Sequence, residues 1–166
     1  MNTAVKEIIW RQFDAAIDTL ENAISTCPDS LWGDRSKYYE YWYMVFHTLF
    51  WLDYYLSESH TDFRPPSPFG LEEMDPTGVL SPRVYTKGEM LTYLNHGREK
   101  ARAAVAAMSD DTLKRQYDFG EVSIPIPELY LYNMRHVQHH AAQLNMILRQ
   151  QANIGSHWVF RGKTAL

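Results

Sequence analysis

Apolar residues recur at three- and four-residue spacing near the start of the chain, where Val5, Ile9, Phe13, Ala16, Leu20 and Ala23 share one stripe. That period predicts an amphipathic helix over about Thr3 to Ser25, with Thr3 as N-cap and Pro28 stopping it. A second helix is predicted from about Ser36, a candidate N-cap, to Ser57. Tyr43, Phe46, Phe50, Trp51 and Tyr54 crowd it around His47. A helix apolar over so much of its surface is either central in the fold or covered by a partner chain. Residues 58 to 85 break the pattern: Pro65, Pro66, Pro68, Pro76 and Pro82 fall here with Gly70 and Gly78, predicting a long irregular connection. Thr86 and Glu89 in TKGE form a capping-box pattern that opens a third helix, running to about Met108. Its inner face is Met90, Leu94, Ala101, Val105 and Met108. Residues 109 to 125 form a second loop, where YDFGEVSIPIP makes an extended excursion. A fourth helix starts at Ile126 or Pro127, a proline suited to a first turn, and ends near Gln151. Leu129, Tyr132, His136, His140, Gln143, Leu144 and Ile147 lie along one stripe of it. Trp158 and Phe160 are expected to pack the tail, residues 152 to 166, back on the bundle.

Four helices and no convincing run of strands predict an all-α four-helix bundle, a single domain over residues 1–166. The long connection after helix two suits parallel second and third helices, because the chain must return a full helix length. Composition leaves this intact: the chain is 45% apolar and 22% charged, with formal net charge −4. Thinly spread Lys and Arg argue against a nucleic-acid partner. Cys27 is the one cysteine, so no internal disulfide forms, in keeping with a reducing, cytoplasmic location. The opening MNTAVKEIIWRQFD has charges within its apolar run and does not read as a signal peptide. Tyr38 to Leu56 approaches the length of a membrane span, but Glu40, His47 and Asp53 within it favour a buried helix.

The candidate chemistry lies in the histidines. His136 and His140 are four apart, so they leave one face of the fourth helix with Cβ atoms roughly 6 Å apart, close enough to share a metal ion. Both lie on the apolar stripe and are expected to point into the bundle. His47, in mid-helix among aromatic residues, is the natural third ligand, since a buried imidazole needs a polar partner or a metal. Each signal also has a plainer reading, a hydrogen-bonded core histidine.

Together, His47 in MVFHTLFWLDYYL and His136, His139, His140 and Gln143 in RHVQHHAAQL resemble the DinB superfamily, in which a second-helix histidine is followed by a fourth-helix H-x-x-H-H-x-x-Q. The likeness extends through helix order and the long loop. Ala141 and Ala142 stand where many members have Arg-Gly. The resemblance implies an up-down-down-up bundle, with His47, His136 and His140 as metal ligands and His139 outside the ligand set. A helix turns about 100° per residue, which also rotates His139 away from His140. Gln143 and Tyr43, one turn from ligands, are candidates for orienting a ring or a water. His60, His96 and His157 receive no role.

Three imidazoles leave a divalent ion an open position, unlike a closed structural site. Zn, Ni or Fe(II) suits such ligands, with Zn or Ni favoured. Water on such an ion reaches a pKa of about 7, and a thiol can be activated there as thiolate. The resemblance accordingly implies a metal-dependent hydrolase acting on a small-molecule substrate. The alternatives are a low-molecular-weight-thiol-dependent transferase or isomerase, or a non-catalytic stress-related protein that forms a homodimer through its aromatic helix. No catalytic general base is identifiable: Glu40, Asp53 and Glu128 read as solvated or capping charges.

Overall fold

The computed structural model describes residues 1–36, 40–58, 60–78, 80–119 and 121–166, with Phe119 described for its backbone alone. Among the described residues the α-helices are α1 (Thr3–Thr26), α2 (Asp29–Trp32), α3 (Tyr41–Tyr54), α4 (Lys87–Ala106) and α5 (Ile126–Ala152). Four of them form the bundle, and α2 is a single turn. Asn2, not Thr3, caps α1, its side chain accepting from the Ala4 N–H at 2.8 Å. The capping box at Thr86 and Glu89 is present, and Pro127 sits in the first turn of α5. The second helix begins later than its pattern suggested: Ser36 lies in a turn bonded to Asp34, and Glu40 is the N-cap residue of α3. The excursion after α4 is a β-hairpin, β1 (Gln116–Phe119) paired antiparallel with β2 (Val122–Pro125), where no strands were expected.

Chain directions follow from three sets of contacts. Lys6 reaches the Ala106 carbonyl at 2.7 Å and Arg98 reaches Asp18 at 2.8 Å, so α1 and α4 run antiparallel. Trp42 packs near Tyr85 while Tyr93 donates to Asp53 at 3.1 Å, so α3 and α4 run parallel. Asn133 donates to the Leu52 carbonyl at 3.0 Å, and Tyr55 meets Tyr132, so α3 and α5 run antiparallel. The order is up-down-down-up, with the 58–85 connection making the return journey.

The apolar surplus of α3 is taken up inside the chain. Phe46 stacks on Phe69 and Phe50 meets Phe63 edge-on, both partners coming from the long connection. Trp42, Phe46, Leu49 and Phe50 are buried. The connection is therefore a cover over part of α3. Among the described residues, no helix is long and apolar enough to cross a membrane.

Charged residues close the other side. Asp14 is fully buried and accepts from Arg98, whose guanidinium also holds Asp18 and Glu21. The tail adds to this cluster through backbone and hydroxyl: Thr164 donates twice to Asp14, Gly162 N donates to the Arg11 carbonyl at 2.8 Å, and Trp10 donates to the Thr164 carbonyl at 3.0 Å. Trp158 and Phe160, expected to anchor the tail, are instead 81% and 79% exposed. Polar contacts dock this segment, because Asp14 has lone pairs to satisfy in a dry setting.

A Cβ on Gly162 would overlap the Asp14 side chain. Gly162→Ala is expected to lift the tail and cost about 1–3 kcal/mol. Urea unfolding checks this; a midpoint equal to wild type would mean that the tail does not hold the bundle.

Candidate metal centre

His47 is half-way along α3, and His136 and His140 are central in α5. The antiparallel packing of these helices brings the three rings together. One nitrogen from each ring lies within 4.8 Å of the other two, and His136 Nε2 is 3.3 Å from His47 Nε2. Nitrogens sharing a tetrahedral ion at about 2.0–2.1 Å stand roughly 3–3.5 Å apart, so little ring movement separates this cluster from a ligand set.

Two of the three rings direct their protons away from the cluster. His47 Nδ1 faces Glu73 Oε2 at 2.6 Å, and His140 Nδ1 faces Gln143 Oε1 at 2.7 Å. A carboxylate and an amide oxygen both accept, so each Nδ1 carries the proton and each Nε2 keeps a free lone pair. His136 Nδ1 is buried without a hydrogen-bond partner among the described residues. Burial, then the neighbouring His140 and His47 rings, pushes the His136 pKa down to about 3. Burial and His47 also lower His140, against the opposing bond to Gln143. Inward lone pairs on His47 and His140, with the charged forms of His136 and His140 disfavoured, suit a cation better than a proton.

The histidines do not lie on the core stripe, as their pattern had suggested. The buried stripe of α5 is Leu129, Asn133, Val137, Ala141, Leu144 and Leu148. His136 and His140 are half-buried at its edge, and Tyr132 is 40% exposed. A site at the margin of the core is reachable by small molecules; one on the stripe would be sealed. His139 is exposed, its ring 5.0 Å from that of His140 and absent from the cluster. The remaining histidines lie apart, with His96 3.5 Å from Asp53 and His60 packed on Tyr54 and Tyr117.

Asp53 is not a solvated charge. It is 1% exposed and accepts from Lys100 at 2.5 Å and Tyr93 at 3.1 Å, which makes it a buried tie between α3 and α4. Glu40 is also buried, bonded to Trp42 Nε1 and Arg35, whereas Glu128 is exposed in the first turn of α5.

The acid beside the cluster is Glu73, in a 3-10 turn (Glu72–Met74) of the long connection. It also accepts from Trp51 Nε1 at 2.9 Å. Burial pushes its pKa up, but bonding to His47, with Tyr43 and Trp51, outweighs this and leaves it below the ordinary carboxylate value. Sequence reasoning missed Glu73, since the irregular connection carries no period that would aim it. The available hint was Trp51, one turn after His47 on the same face and in need of an acceptor. Tyr43, expected to orient a ring or a water, belongs to Glu73's surroundings instead.

A cavity of about 960 Å³ lies beyond Tyr55, between the C-terminal ends of α3 and α4, the start of α5 and the hairpin. None of the three clustered histidines lines it. Tyr55 does, and its ring also stands 6.2 Å from that of His136.

The family model of the DinB superfamily matches residues 12–144. The chain belongs to the DinB superfamily. The matched span contains all three clustered histidines and Glu73, and leaves the tail outside. No curated protein and no solved structure matches the chain.

The His136 shift has a consequence for stability. Its pKa falls from 6.5 to about 3 in the folded state, so between those values the unfolded chain binds more protons. Stability of metal-free protein therefore drops as pH falls through that window, by at most about 1.4 kcal/mol per pH unit for one group. Urea unfolding from neutral pH to about pH 4 should give a shallower slope for His136→Phe; parallel slopes would mean that His136 titrates normally.

Proposed function

We propose that His47, His136 and His140 bind one divalent metal ion, Zn or Ni in preference to Fe(II), and that the protein is a metal-dependent hydrolase of a small-molecule substrate. The observation that carries this reading is the cluster itself: three ring nitrogens within 4.8 Å of one another, two of them 3.3 Å apart, with the protons of two rings turned outward onto Glu73 and Gln143. Superfamily membership supports it, since the motif histidines are the residues that meet.

When bound, a divalent ion held by three neutral imidazoles lowers the pKa of water to about 7 and polarises carbonyl or phosphoryl groups. The chain's own contribution is orientation and access. Gln143 holds the His140 ring by its Nδ1–H. The position of both α5 histidines beside the core stripe leaves a side open to substrate.

The test is metal analysis of untagged protein purified without a nickel column, followed by ester, amide and thiol-conjugate substrate panels. About one ion per chain is expected, with metal-dependent turnover of a hydrolysable substrate. His136→Ala should lower affinity beyond the roughly 10–100-fold typical of changes outside the ligand set. Wild-type protein that takes up no stoichiometric metal overturns the reading. Metal binding with thiol-dependent turnover alone replaces the hydrolase by a transferase.

A further inference from the structure

Glu73 is the least expected charge in the molecule. Its side chain is 5% exposed, and His47 is its one ion-pair partner among the described residues. Oε2 takes hydrogen bonds from His47 Nδ1 and Trp51 Nε1 at 2.6 and 2.9 Å, and the Tyr43 hydroxyl also helps to hold the carboxylate charged. Burying a carboxylate costs several kcal/mol unless a positive charge or a full set of donors compensates. No lysine or arginine bridges to it among the described residues. Neutral donors alone hold this charge, and the far side of the His47 ring, where Nε2 faces His136, is where a cation would balance it.

We propose that Glu73 is a positioning residue for the metal centre: it holds His47 in the tautomer that aims Nε2 at the ion and supplies negative charge through the ring. This rests on the metal reading above. Glu73 is not itself in the cluster that could hold an ion, so its action passes through the imidazole. A carboxylate on the outer nitrogen of a metal-bound histidine fixes the ring and raises its basicity. The route to that position is unusual. Glu73 lies 26 residues after His47, in the connection that covers α3, so the ion and the cover become coupled. Metal binding strengthens the His47–Glu73 bond, and that bond pins the cover.

The rival role is a plain clamp, in which Glu73 fastens the connection to α3 and has no influence on the ion. Glu73→Gln separates the two, because the amide keeps the shape and an acceptor but removes the charge. Affinity for Zn²⁺ is read by competition with a chromophoric chelator, and thermal unfolding is read on metal-free protein. A 10–100-fold weaker Zn²⁺ affinity is expected, with metal-free unfolding within a few degrees of wild type. Wild-type affinity in Glu73→Gln, whatever its unfolding temperature, overturns the proposal and leaves the clamp.

Hydrogen exchange gives an independent reading. Zn²⁺ should slow exchange in residues 58–85 of wild type and much less so in Glu73→Ala; equal slowing in both overturns the coupling. Wild-type protein that binds no Zn²⁺ overturns the metal reading and this inference together, whereas wild-type binding with an unaltered variant overturns this inference alone.

Discussion

Antiparallel contact between α3 and α5 decides where the chemistry of this chain can occur. Asn133, fully buried, donates to the Leu52 carbonyl and ties the two helices at one level. One turn from Asn133 along α5 toward its C-terminus, and a little more than one turn before Leu52 along α3, His136 and His47 come level. A slide of one helical turn, about 5.4 Å, would take His47 away from at least one of the two α5 rings that it meets. Stranding the Asn133 side-chain N–H in a dry core opposes that slide, so a buried polar contact sets the register in which the rings converge.

The bundle's other buried charges act on geometry in a similar way. Lys100 and Tyr93 on α4 meet Asp53 on α3, and Arg98 on α4 meets Asp14 on α1. Each is a buried acid satisfied from a neighbouring helix, and replacing one partner would strand the other. Such contacts add little net stability compared with the aromatic core, but they penalise alternative packings. Glu73 differs from these acids in having an imidazole, not a permanent cation, as its partner. That difference separates the candidate site from the structural ion pairs, though all are buried carboxylates.

The long connection joins packing to chemistry. Phe63 and Phe69 cover the apolar face of α3, and the same segment carries Glu73 onto His47. Much of the aromatic surface of this helix is buried by the residues that follow it. The cover and the site are therefore one construction, and the parallel run of α3 and α4 supplies the chain length that makes it possible.

The existence of the four long helices, the capping box at Thr86 and the spacing of His136 and His140 were determined by the sequence alone, because they follow from the 3.6-residue period and the needs of helix ends. The H-x-x-H-H-x-x-Q pattern with His47 was likewise legible, and the family match covers the same residues. Three things were decided only by tertiary structure. The true core stripe of α5 runs through Asn133 and Val137 beside the histidines, a rotation too small for a smeared apolar pattern to resolve. Asp53 reads as a surface acid until Lys100 and Tyr93 arrive from another helix. Glu73 reads as one acid among several in a proline-rich loop, since the path of an irregular segment has no period, and its endpoint is set by what the aromatic residues around it bury.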